Sequence, residues 1–463
     1  MTRRGSGQRG GEPGPVVSYV DHALLLARSA GQDAVLQALW IYDGPVDVSA
    51  VEAVRCALAD EQISRLIARS PVPFGRPRWV RAPAPSDDLE VAGRPRPIEE
   101  LFAWADEQVD GPLDPVHGPP WRMSLLPLTD GRAVVSLVVS HCVADAIGAF
   151  ESVSRAAAAV VDGAGDRDRR VATTSIPVRR SAMVRADLHH LVADLPAVAR
   201  GLVRALRMLM ADRPWCGGVA RSPVDHGTGL VTMPTVAAFV DLAVWNESAE
   251  SLGGTSSSLL TGVTVRLAER LERVRDGRVL LLVPLQNAGD ERGRVGGAES
   301  AANSVTLARI AIDPSDVVDH NRLRAVVRAG IAAARDRPDP TRALLPLVPF
   351  VPRRLVGALA ETAFGFAADR PVNLSGLGDL PAGVLRIGGT PADRLCFRGV
   401  DRKVVEADLA RRGGVLTVAA GAIGGSFVVN VTAADPTRPA TREELRHVVA
   451  EVLGDFGVTA EIV

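Results

Sequence analysis

The chain has 463 residues, room for two or three domains of about 150 residues or for two large lobes. With 47% hydrophobic and 23% charged residues it belongs among globular proteins, which excludes a disordered or collagen-like chain. Its 53 basic and 54 acidic residues leave a net charge of -1, so no overall field draws it to nucleic acid or another polyanion.

The four cysteines, Cys56, Cys142, Cys216 and Cys396, form no C-x-x-C pair, so neither a disulfide framework nor a metal site is expected, and a reducing cytoplasm fits best. Lys403 is the single lysine, a skew that reads as coding bias. The Gly- and Arg-rich stretch through Pro15 reads as a loose tail, since no apolar segment of signal-peptide length follows it. No uncharged apolar run reaches the roughly 18 residues of a spanning helix. That leaves attachment to a lipid surface open.

From Val16 the pattern gives a short helix around Ala23 to Ala27 and a strand from Ala34 to Tyr42. A helix capped by Asp47 or Ser49 then carries Val51, Val54, Leu58, Ile63 and Leu66 at helical spacing. In the Pro-rich loop from Ser70 to Pro97, RPRWVRA reads as a short edge strand, and Pro97 to Leu101 opens a helix reaching Val109. WRMSLLPL and RAVVSLVVS form a hairpin around Thr129-Asp130-Gly131, the second strand buried on both faces, and an Ala-rich helix follows the sharp connection at His141 to Gly148. A charged linker from Asp162 to Ser181 leads to one or two helices between Met183 and Met210, where a lobe boundary is placed.

The second half opens with TVAAFVDLAVW as a strand and LLTGVTVRLAERLERV as a helix. RVLLLVPLQN and ANSVTLARIAI are strands flanking a Gly-rich loop at Gly289 to Gly297, followed by a helix from Asp316 to Asp336 and helices around Leu344 to Phe366. VVEADLARRGGVLTVAAGAIGGSFVVNVTA reads as paired strands, and Thr441 to Phe456 is the last helix. The expected division is a tail over 1–15, an N-terminal lobe over 16–175, linker helices over 176–230 and a C-terminal lobe over 231–463, each lobe mixing helix with strand in an α/β fold.

The informative site is His141 with Asp145 four residues on, where a doubly buried strand gives way to a helix. Imidazole titrates near pH 6.5 in water, so a histidine there can take a proton from a hydroxyl or amine attacking a carbonyl. The spacing alone is weak. His190 and Asp194 repeat it inside the basic helical stretch, with no buried strand before it, and read as a solvated helix face. Cys142 beside His141 reads as a buried structural thiol. The Gly-rich segments lack the spacings of a phosphate cradle. The basic stretch Arg185 to Arg213, with Leu, Val and Met on one side, reads as an interlobe helix or one that lies on a membrane.

The stretch GPPWRMSLLPLTDGRAVVSLVVSHCVADAIGAFESV resembles the segment of bacterial wax ester synthase/diacylglycerol acyltransferase-like proteins that runs from a Pro-Leu-Trp motif to a His-His-x-x-x-Asp-Gly motif. Peptide-synthetase condensation domains and polyketide-associated acyltransferases share the latter. SYVDHALLL, TSSSLLTGVTVRLAERL, LLLVPLQN, ANSV and VNLSGLGDLP extend the likeness from about Val16 to Phe456. It implies two chloramphenicol-acetyltransferase-like lobes with His141 in a tunnel between them. It implies His141 as general base and Asp145 as organiser of its loop, with Trp121 as a wall and Ser140, Asn303, Asn373 and Ser375 around the substrate. Asn303, Asn373 and Ser375 are then the candidate oxyanion donors. The implied activity is direct acyl transfer from an acyl-CoA or acyl carrier protein thioester, as donor substrate and not as bound cofactor, to an alcohol or amine in lipid or secondary metabolism.

The chain departs from that pattern at four places. Ser140 replaces the first motif histidine. Ala146 replaces the Gly after Asp145 and is strained if that position needs positive φ. Ala288 stands where an Arg is usual, so Asp145 would need Arg292, Arg294 or Arg386 as partner, and Val372 replaces a loop Ser. Ser140, Ala146 and Ala288 favour an alternative, a catalytically altered scaffold that binds a carrier protein or partner enzyme.

Overall fold

The computed structural model describes residues 13–29, 31–83, 88–163, 180–210, 229–286, 299–303, 305–336, 340–352, 370–438 and 441–463. The Gly- and Arg-rich tail up to residue 12, most of the 162–181 linker, the 289–297 loop and residues 353–366 lie outside these.

The first half runs β1 (Val16–Val17), α1 (Tyr19–Ser29), β2 (Asp33–Tyr42), α2 (Val48–Leu58), β3 (Arg65–Ala68), β4 (Arg78–Arg81), β5 (Glu90–Val91), α3 (Leu101–Asp110), β6 (Trp121–Pro127), β7 (Ala133–Ser140) and α4 (Ala146–Val161). Asp47 caps α2 by accepting from the Ser49 amide at 2.8 Å. That helix ends at Leu58, short of the expected length. Ile63 lies in a 3-10 turn and Leu66 in β3, and both reach the core because apolar residues three apart can be buried from a turn and a strand as well as from one helix face. RPRWVRA was expected at an edge, but β4 lies inside a small sheet of order β10-β1-β4-β3. The β6–β7 hairpin has Trp121 opposite Val139 and Pro127 opposite Ala133, and every residue of β7 is buried.

The second half runs α5 (Arg180–Met210), β8 (Thr235–Asp241), α6 (Leu242–Ser251), α7 (Ser256–Arg270), β9 (Val279–Gln286), β10 (Glu299–Ser300), β11 (Val305–Ile312), α8 (His320–Asp336), β12 (Val372–Asp379), β13 (Arg394–Arg402), a short helix Glu406–Arg412, β14 (Val415–Ile423), β15 (Ser426–Ala434), the helix Arg442–Asp455 and β16 (Glu461–Ile462). LAVW, expected as strand, is helical because the Asp241 carboxylate accepts from the Ala243 and Val244 amides and starts α6. Likewise the first part of VVEADLARR is not strand. Glu406 and Asp408 open a helical turn and Gly413, at φ 66°, closes it.

Two larger sheets organise the molecule, of order β13-β2-β7-β6-β5 and β11-β9-β12-β14-β15-β8-β16. One large buried apolar cluster surrounds the five-stranded sheet and takes in Phe239, Ala419 and Val428 from the other, and a second is built on the seven-stranded sheet. β13 departs from sequence proximity: it follows β12 of the seven-stranded sheet yet pairs antiparallel with β2 in the other, from Arg394 opposite Ile41 to Arg402 opposite Asp33. This crossover brings late sequence within one strand of the end of β7 that leads to His141, across β2.

Candidate active site between the two sheets

β7 ends at Ser140: the His141 amide still donates to the opposing Ala34 carbonyl at 3.1 Å, and the chain then turns, the Val143 amide donating back to the Ser140 carbonyl at 3.0 Å. Asp145, extended at φ -84°, is the N-cap of α4 and accepts from the Gly148 amide at 2.8 Å. Ala146 is the first helical residue and is absent from the left-handed positions, so alanine there costs no backbone strain. A strand end and a capped helix start thus fix the five residues between them.

The loop before β11 holds this turn from the other side. The Asp145 amide donates to the Ala302 carbonyl at 3.3 Å. Asn303 donates from Nδ2 to the His141 carbonyl at 2.9 Å and to Asp21 Oδ1 at 2.8 Å. The buried Asp21 carboxylate also accepts from the amides of Ala302 and Asn303 and from Ser18 Oγ. Burial pushes its pKa up to about 6 although those hydrogen bonds pull it down.

His141 lines two cavities. The larger, about 380 Å³, is walled chiefly by aliphatic and aromatic side chains, among them Leu24, Leu36, Val139, Ile147, Phe150 and Phe397. The smaller, about 220 Å³, lies between β13, the helix Glu406–Arg412 and β14. His141, Asn373, Asp401, Arg412 and Thr417 belong to both walls, so the two spaces adjoin at the imidazole. His141 is half-buried, and its Nδ1 is enclosed without a hydrogen-bond partner, which leaves Nε2 as the ring nitrogen open to a reacting group.

Asn373 and Ser375 occupy alternate positions of β12 and both face the larger cavity, as a period of two requires. Asn373 Nδ2 donates to Thr417 Oγ1 at 3.3 Å, which uses one of its two amide hydrogens. Asn303 also lines that cavity, but both its hydrogens are already engaged.

Of the residues singled out from sequence, His141, Asp145, Asn303, Asn373 and Ser375 come together at the larger cavity. Trp121 and Ser140 line neither cavity: the indole is buried and donates to Ser64 Oγ at 2.6 Å, and Ser140 is fully buried with its Oγ toward the Cys142 amide. Val372 is buried in the core of the seven-stranded sheet, pointing away from Asn373. Burial pushes the Cys142 thiol up to about 12, as suits a structural cysteine. Of the partners considered for Asp145, Arg386 is exposed, and Arg292 and Arg294 lie outside the described residues, as does Ala288.

Sequence reasoning missed four polar residues of the walls. Gln37 Nε2 donates to the Ala105 carbonyl at 2.8 Å and its Oε1 accepts from Arg398 Nε at 2.8 Å. Arg398 continues to Asp106 and Thr235. Asp401 pairs with Arg412 where the cavities adjoin. The signal was faint: Gln37 is the polar exception in an apolar strand, Arg398 and Asp401 lie where no strand was expected, and Arg412 lies in a stretch expected as strand that is helical.

No protein-family model matches the chain, and no curated protein matches it. Solved structures do. A condensation domain of the calcium-dependent antibiotic synthetase, in complex with a substrate analogue, is 14% identical with a TM-score of 0.55, the match covering 98% of this chain and 100% of that one. The wax ester synthase/diacylglycerol acyltransferase of Marinobacter aquaeolei VT8 is 15% identical with a TM-score of 0.51, over 96% of this chain and 100% of that one. The nonribosomal peptide synthetase FmoA3 is 16% identical with a TM-score of 0.52, and the chain spans 45% of its length. Among the described residues no helix is long and apolar enough to cross a membrane. The chain therefore shares the fold of these condensation domains and of this wax ester synthase/diacylglycerol acyltransferase.

Proposed function

We propose that the protein is an acyltransferase that moves an acyl group from an acyl-CoA or carrier-protein thioester to an alcohol or amine, with His141 as general base. The observation that carries this reading is the position of one half-buried imidazole, its Nδ1 enclosed, where two cavities of different chemistry adjoin. The apolar cavity suits the acyl chain of the donor, and the smaller one, with Asp401, Arg412 and Thr417 in its wall, suits a polar acceptor.

In this mechanism His141 Nε2 removes the proton of the acceptor hydroxyl or amine as its lone pair attacks the thioester carbonyl. The tetrahedral intermediate collapses with cleavage of the carbon–sulfur bond, and the imidazolium returns its proton to the departing thiolate. The donors open to the oxyanion are the second Asn373 amide hydrogen and the Ser375 hydroxyl. Asp145 acts on the loop as helix cap and through its amide bond to Ala302, not on the substrate. The unstrained Ala146 removes one of the reasons for expecting an inactive scaffold.

The test is release of free thiol from acyl-CoA donors offered with panels of alcohols and amines, repeated with donors on a carrier protein. His141→Ala should lower turnover by about 10²–10⁴-fold. Turnover unaffected by that substitution removes His141 as the base.

A further inference from the structure

α5 is 31 residues long, and its packing against the body occupies one side only. Its sequence contains two acidic residues, and both turn inward. Asp187 pairs with Arg78 and accepts from Ser70 Oγ at 2.6 Å, and Asp194 pairs with Arg76 at 2.9 Å. On the same side a Cβ on Gly201 would lie 2.9 Å from the Ala343 carbonyl oxygen, and Ala205 is buried.

The outer side is apolar. Leu188, Val192, Leu195, Leu202, Leu206 and Met210 are all exposed, Val192 at 64% and Met210 at 77%. At about 100° per residue these six fall within one sector of roughly 80°, well away from Asp187, Asp194 and Gly201. At about 1.5 Å per residue the stripe is roughly 33 Å long. Arg185, Arg207, Arg200 and Arg204, all exposed, lie along one side of it, at about 60°, 100°, 120° and 160° from its midline, with no acidic residue of the helix beside them. An unbroken apolar stripe of this length is rare on a monomer surface without a partner.

We propose that this outer face of α5 docks on an anionic lipid surface, its aliphatic stripe entering the headgroup boundary and its arginines meeting the phosphates. Charge argues against a second copy of the chain as occupant, because pairing two such faces would bring two sets of arginines together with no carboxylate from either helix to meet them. The inward pairing of both acids makes the outer face uniformly cationic.

The experiment is flotation of the full chain with vesicles of phosphatidylcholine alone and with one-third phosphatidylglycerol, at low and high salt. The expected result is flotation with the anionic vesicles, at least tenfold less with phosphatidylcholine alone, and release at high salt. Leu188→Gln/Leu195→Gln/Leu206→Gln, and separately Arg200→Gln/Arg204→Gln/Arg207→Gln, should each reduce binding at least tenfold with the thermal transition unmoved. The second set replaces only exposed side chains, so a folding failure in the first does not decide the outcome. Wild-type protein that stays in bulk solution with both vesicle types overturns the proposal. So does flotation that neither set of substitutions reduces, or a solution dimer that the leucine substitutions split.

Discussion

Asn303 joins the His141 carbonyl to the Asp21 carboxylate through one amide group, with Nδ2 at 2.9 Å from the first and 2.8 Å from the second. This clamp sets where the imidazole lies, and it removes Asn303 from the oxyanion donors because a primary amide has only two hydrogens to give. Asn303→Ala leaves the buried His141 carbonyl and part of Asp21 without donors. A loss of about 1–3 kcal/mol in unfolding free energy is expected. Turnover should fall with KM little changed, since the group positions the base and not the substrate. Urea denaturation and steady-state kinetics check the two halves separately, and a variant with full stability and full turnover would show that the clamp is dispensable.

Asp21 and His22 are adjacent, both buried, and shifted in opposite senses. Burial, with Arg76 nearby, pulls the His22 imidazole down to about 4. The folded state therefore favours neutral His22, a contribution present above the ordinary value of 6.5 and lost as pH falls through about 4. For Asp21, pushed up to about 6, the folded state favours the protonated acid. That contribution is full below 3.8 and is lost as pH rises through about 6. Each shift spans about two units, on the order of 3 kcal/mol, so the two offset each other between pH 6.5 and 4. His22→Leu should gain stability on acidification through that window, whereas Asp21→Asn should lose it more steeply than wild type. Chemical denaturation at several pH values reads the slopes, and parallel curves for all three proteins would refute the opposition.

His141 and Asp145 were legible in the sequence because a strand buried on both faces ends before one and a capped helix begins at the other. Asn373 and Ser375 followed from the likeness of their strand to a known loop. Asp21, Arg398 and Asp401 were not legible, for a physical reason. β13 carries Arg394, Arg398, Asp401 and Arg402, which break any apolar alternation, and it is a strand because partners distant in sequence neutralise those charges: Asp43 and Glu461 for Arg394, Asp106 for Arg398, Asp33 for Arg402. Such pairing is a tertiary property. The same holds for Ile63 and Leu66, whose spacing fits a helix but whose backbone turns into β3 to pair with β4.

Phe150 on α4 and Phe397 on β13 meet edge to face at 5.5 Å between ring centres, and both line the larger cavity. If that cavity holds the donor chain, this pair limits its length. Phe150→Ala should shift the preferred acyl donor to longer chains and destabilise the fold by about 3–5 kcal/mol, whereas Phe150→Leu should give part of the shift at a smaller cost. Turnover across acyl-CoA donors of increasing length checks it. An unchanged chain-length profile in a folded Phe150→Leu protein would place the donor elsewhere.

Arg398 is 5% exposed and ties the two large sheets together, since it stands on β13 of one and donates from Nη1 to Thr235 Oγ1, on β8 of the other, at 3.1 Å. Its other nitrogens go to Gln37 at 2.8 Å and Asp106 at 2.6 Å. Arg398→Ala strands Asp106 with only Arg442, 3.6 Å away, and leaves Gln37 Oε1 in the cavity wall without its donor. The expected cost is about 3–5 kcal/mol, the range for one partner lost from a buried pair. The substitution Arg398→Lys retains the charge but not the three-way fork, so it should recover only part of that stability. Because Gln37 borders the cavity, KM for the donor should rise in both variants even where the fold persists. Calorimetry and donor titrations report the two effects independently, and a fully stable Arg398→Ala protein would mean that this fork is dispensable to the joining of the sheets.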